Sequence, residues 1–190
     1  MALTEKYRTI ESIKIKPRVT DMRPTPNDYS PQAAGYVALV TEEDVLPVLQ
    51  DQLDTTVAWW RTFPESAAHS VHPPYTWELR QALHHIADAE RIFGYRLLRI
   101  ARGDQTPLAG FSENPYADKT LELNCSLADV ITEFACLRQA NLIVLKSLPP
   151  VAWDRWGIAS EARVTVRGLA YILAGHVRHH EAALRKRMPS

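Results

Sequence analysis

The sequence predicts an all-α protein, a four-helix bundle preceded by an extended N-terminal arm. Three observations carry that prediction. Four stretches of about twenty residues repeat apolar side chains at helical spacing. Each stretch is bracketed by capping and breaking residues. No segment alternates apolar and polar residues convincingly at the two-residue period of a strand. The 190 residues suit one domain, and an apolar share of 46% is enough to build a core without disulfides.

The arm is residues 1–40. Pro17, Pro24, Pro26 and Pro31 lie among mixed polar residues there, and no helical period is sustained. Tyr29, Tyr36, Val37 and Leu39 are its expected anchors onto the bundle domain, residues 41–190. The first helix is expected to start at Thr41. That residue can cap, and Glu42, Glu43 and Asp44 place negative charge beside the first-turn amides. Val45, Leu46, Leu49, Leu53, Val57 and Trp60 follow at helical spacing, and Pro64 closes the helix.

After a loop with His69, His72, Pro73 and Pro74, Thr76 caps a second helix running from Trp77 to Arg102 and stopped by Gly103. A long loop passes through Pro107, Gly110 and Pro115. Ser126 opens the third helix with Asp129 in a capping-box position, and Pro149 and Pro150 end it. A connector, 151–164, holds Trp153, Trp156 and Gly157; Thr165 then caps a fourth helix reaching Lys186. Two of the three connections are long enough for a topology other than up-down-up-down.

Charge and cysteine content exclude several function classes. Twenty-two basic residues balance 22 acidic ones, so no global field draws the chain to nucleic acid or an anionic membrane. Cys125 and Cys136 form no CxxC and have no histidine beside them, which fits two reduced, structural thiols rather than a zinc knuckle. Glu5, Lys6 and Arg8 interrupt any leader-like apolar run, and no stretch has membrane-spanning length. A soluble, cytoplasmic protein is expected.

The chemistry lies in the histidines. On a wheel of the fourth helix with Val166 at zero, Leu169, Leu173, Val177 and Leu184 define the apolar face. His176 falls at about −80° and His180 at about −40°, on or beside that stripe, while His179 at about −140° lies off it. Two imidazoles four residues apart on a buried face can reach one ion. On the second helix, with Leu79 at zero, His85 lies at about −120° beside Ala89 and Ile92, whereas His84 at about 140° lies among Arg80, Asp88 and Arg91. Burial therefore selects His85 as the third ligand. Three imidazoles suit zinc or nickel, with iron or manganese also accommodated, and leave a coordination position open, as in catalytic sites. The fourth helix reads HVRHH, so the HExxH protease motif is absent.

The stretch WELRQALHHIADAERIFGYRLLRIARGD, the following TPLAGF and the late AGHVRHHEAALRKR resemble the DinB-like (YfiT-like) superfamily of metalloenzymes. The early RPTPNDYSPQAAGYVALV resembles the arm of one branch of that family. The resemblance covers nearly the whole chain. It implies a four-helix bundle with a divalent metal on three histidines, which fall on His85, His176 and His180. It also implies a reaction class: activation of a low-molecular-weight thiol or of water, for S-transfer, isomerisation or hydrolysis. A homodimer is a further implication.

Other residues carry weaker signals. Glu90 lies near the centre of the second helix's apolar stripe, at about 20°. A buried carboxylate needs a partner, and an ion pair with Arg96 or an arginine of another helix is the expected one. A place behind a ligand imidazole, or a general-base role, is the alternative. Trp77, Trp153 and Trp156 could line a substrate mouth or cap the core. Arg91, Arg96, Arg99 and Arg102 could bind an anionic substrate, but such a series usually reads as the solvated face of a long helix. Beside the enzyme reading stand two others: a non-catalytic protein that binds a metal or small ligand, and a metal-free dimeric interaction module.

Overall fold

The computed structural model describes residues 23–188. Most of the described arm is not extended. Residues 26–28 and 31–33 form single 3-10 turns, and α1 (Ala34–Ala38) follows. Proline stands at the first position of each 3-10 turn, where its fixed φ favours helical geometry and its missing N–H costs nothing. The Asp28 carboxylate closes the first turn by accepting from the Thr25 amide at 2.7 Å. Val37 and Val40 anchor the segment, with Tyr29 and Tyr36 partly buried beside them. Leu39, an expected anchor, is 43% exposed; the helical turn of α1 rotates it outward. Pro17 and the rest of residues 1–22 lie outside the described residues.

The first bundle helix begins at Val45, not Thr41. Asp44 is its cap, accepting from the Leu46 amide at 2.9 Å. It runs as α2 (Val45–Asp51), a π-helical segment over Gln52–Thr56, and α3 (Val57–Trp60). The second helix, α4 (Leu79–Ala101), starts two residues later than expected, with Glu78 as cap. The reason is tertiary. Leu79 and Arg80 donate their first-turn amides to the carbonyls of Ser70 and Ala68, both at 3.0 Å, which holds Trp77 outside the helix. Gly103, at φ 82°, ends the second helix as expected. Ser126 and Asp129 form the expected box on α6 (Leu127–Ser147), and Thr165 caps α7 (Val166–Arg187) through the Gly168 amide at 3.0 Å.

Two elements lie where the sequence suggested only loop. A short helix, α5 (Glu113–Thr120), sits in the connection after α4. The connector before α7 is an antiparallel hairpin of β1 (Trp156–Ala159) and β2 (Ala162–Thr165), closed by Ser160 and Glu161 at φ 51° and 63°. Such a two-residue turn needs positive φ twice and normally announces itself with Asn-Gly or Asp-Gly. Ser-Glu gives no such signal.

The bundle is not a simple meander. The α4 helix packs against α6 and α7, and α2 packs against the same two helices. The first and second bundle helices are therefore diagonal, and the second and fourth are neighbours. Two apolar clusters fill the interior, one around Leu49, Leu97, Leu142 and Leu169, the other around Trp60, Leu83, Ile131 and Val177. Between them runs a buried polar layer of Gln52, Glu90, Arg138 and His176.

Candidate metal centre

The adjacency of α4 and α7 brings the three predicted histidines together. The Nε2 atoms of His85 and His176 are 3.1 Å apart, and those of His180 and His176 are also 3.1 Å apart. One ligand atom from each of the three lies within 4.8 Å of the others. Three nitrogens bound tetrahedrally at 2.0–2.1 Å would be separated by about 3.3 Å, so the donor set fits a single divalent ion. His176 is buried at 4% exposure, and His85 at 9%. His179 is exposed, as its place on the wheel suggested.

The electrostatics favour the neutral, ligating form of each imidazole. Burial holds His176 well below its usual pKa, and the neighbouring His180 and His85 add to this. Burial, with His85 and His179, lowers His180 to about 3. Burial also lowers His85, opposed by the Glu113 carboxylate. These groups bind fewer protons folded than unfolded, so they cost nothing above the unfolded pKa near 6.5 and destabilise the fold as pH falls below it. The metal-free protein should therefore lose about 1.4 kcal/mol per pH unit for each imidazole kept neutral between pH 6 and pH 4. Urea unfolding at several pH values measures this; a slope no steeper in wild type than in His176→Ala would contradict it.

The histidines open into a pocket of about 450 Å³. Its wall draws on parts of the chain that periodicity did not assign to a site: Tyr36 from α1, Phe111 and Glu113 around the start of α5, and Ser160 and Arg163 from the hairpin. Tyr36 stands edge-on to His176, with ring centroids 5.3 Å apart. It can do so because α1 rests directly on α7, where a Cβ on Gly175 would strike the Tyr36 carbonyl. Trp77, held outside α4, lies with its ring 5.0 Å from that of His85. Trp153 is instead a core residue, at 2% exposure, and Trp156 is turned outward.

Glu90 has the expected ion pair, and its partner is an arginine of another helix, Arg138 of α6: Nε donates to Oε1 at 2.9 Å and Nη2 to Oε2 at 2.8 Å. Asn141 adds a third bond at 2.8 Å, and among the described residues Glu90 makes no hydrogen bond to a site histidine. Arg96 is not on a solvated face but buried at 6% exposure, and it lines the pocket. His84 is buried like His85, beside Arg80 and Glu133 rather than the pocket. Among the tryptophans only Trp77 lines the pocket.

The model of the DinB superfamily matches residues 49–184. The chain belongs to that superfamily. A solved structure similar to this DinB chain is YfiT from Bacillus subtilis, described as a probable metal-dependent hydrolase with an unusual four-helix bundle topology. The two share 16% identity with a TM-score of 0.66, over 90% of this chain and 98% of YfiT, a likeness of fold. No curated protein sequence matches the chain significantly. Among the described residues no helix is long and apolar enough to cross a membrane.

Proposed function

We propose that this DinB-superfamily protein is a metal-dependent enzyme that activates water or a low-molecular-weight thiol, for hydrolysis of a small substrate or S-transfer to it. The observation that carries this reading is the convergence of three neutral imidazoles on the wall of a 450 Å³ pocket. A purely structural site would be closed by a fourth protein ligand. His85, His176 and His180 would hold the ion, which when bound supplies a Lewis-acid centre. The aromatic faces of Tyr36, Trp77, Phe93 and Phe111 would shield the reacting end of the substrate from bulk water. Glu113 is the one carboxylate among the pocket-lining residues and is placed to take up a proton there. YfiT's description as a probable metal-dependent hydrolase supports the same direction.

Elemental analysis of untagged protein tests the metal. Wild type should carry about one equivalent of zinc, nickel, iron or manganese, and His176→Ala should carry little. Screens for ester, amide and thiol-transfer substrates, run with and without chelator, test catalysis. Wild type that takes up none of the four metals, or turnover indifferent to chelation, would overturn the reading.

A further inference from the structure

One side of α4 presents His85, Ala89, Phe93 and Arg96 to the pocket. Their spacing of four, four and three residues keeps all of them on one face. His85 and Arg96 are eleven residues apart, so their backbones are separated by about 16 Å along the helix and rotated by only about 20°. The pocket is thus elongated, with metal-binding nitrogens at one end, apolar and aromatic surface in the middle, and a guanidinium at the other.

Among the buried charges of the described residues, Arg96 and Arg187 lack a carboxylate partner, and of these two only Arg96 lines the pocket. Glu90 and Arg138 neutralise each other, and Arg167 meets Asp154. Arg96 has no carboxylate partner among the described residues. Its Nη2 donates to the Ala109 carbonyl at 2.7 Å and to the Ser160 hydroxyl at 2.9 Å, both neutral acceptors. Nε and Nη1 make no hydrogen bond to the described residues. A buried cation is costly unless paired, and a guanidinium fork matches an oxyanion better than any neutral group.

We infer that the pocket takes an elongated small-molecule carboxylate with an apolar body, its anionic end paired with Arg96 and its other end at the three histidines. The charges lining the pocket favour a monoanion over a dianion. Arg96 and Arg163 contribute two positive charges and Glu113 one negative, and Arg163 already donates to the Asn27 carbonyl. The inference rests on the metal-enzyme reading only for what happens at the histidine end.

The test uses 3-phenylpropanoate, its neutral amide and phenyl phosphate as probes. Binding is followed by calorimetry on metal-loaded and on chelated protein. A metal ion can itself capture a carboxylate, so the chelated protein isolates Arg96. There the carboxylate should bind more tightly than the amide and more tightly than the phosphate dianion. Arg96→Met should weaken carboxylate binding about 10- to 100-fold and leave amide binding unchanged. Arg96→Lys, which keeps the charge that holds the Ala109 and Ser160 contacts, should lose less and serves if the methionine variant fails to fold. Carboxylate binding that needs the metal and ignores both Arg96 substitutions would overturn the inference. So would equal affinity for carboxylate and amide, or no binding of any probe at millimolar concentration. Failure of metal uptake in the elemental analysis would remove the enzyme reading and leave these outcomes unaffected.

Discussion

Replacing Glu90 with alanine should destabilise the protein by about 3–5 kcal/mol, the cost of leaving a buried charge without its partner. Arg138 is fully buried and Glu90 is 2% exposed, so water cannot take over the vacated position without opening the bundle. Gln52, which accepts from Arg138 Nη1 at 2.6 Å, satisfies part of the guanidinium but brings no charge. For a chain of this size the melting temperature should fall by about 6–20 °C. The double variant Glu90→Leu with Arg138→Met should recover most of the loss, because it removes both charges together. Neither variant should change the metal content, since among the described residues neither Glu90 nor Arg138 hydrogen-bonds a site histidine. A loss below about 1 kcal/mol in the single variant, by urea unfolding, would show that the layer tolerates an unpaired arginine.

The second large effect belongs to the metal. An ion that binds the folded state alone stabilises it by about 4 kcal/mol when free metal is a thousandfold above Kd. Chelation should then lower the melting temperature of wild type by about 8–16 °C. In His176→Ala the same chelator should do nothing, because His176 is the ligand that lies 3.1 Å from both of the others. An unchanged melting temperature in wild type would mean that the three imidazoles hold no ion under those conditions.

Three helix ends follow directly from local signals in the sequence. Ser126 with Asp129, Thr165 and Gly103 each act on the backbone within three residues of themselves, and each marks its helix end where expected. Thr41 and Thr76 have the same capping chemistry but do not cap. The Asp44 carboxylate takes the first-turn amide of α2, and the 68–70 carbonyls take those of α4. Arg96 departs from its expected place for a related reason. Composition places arginine on a solvated face, and only the loop at Ala109 and the hairpin at Ser160, both distant in sequence, bury it.

By itself the sequence determined a four-helix bundle and the place of the His176–His180 pair on the buried face of its helix. Those follow from a 3.6-residue period, which a single chain segment carries within itself. His84 and His85 are both buried, and only the packing of α4 on α7 turns His85 toward that pair. Which helices touch was decided only by the tertiary structure. In a simple meander the second and fourth helices are diagonal, and His85 would face His176 across the core. Here the long connections place α4 beside α7, and the arm, the loop before α5 and the hairpin close the pocket around the site. Helix adjacency depends on how four apolar faces share one core, and no single segment holds that information.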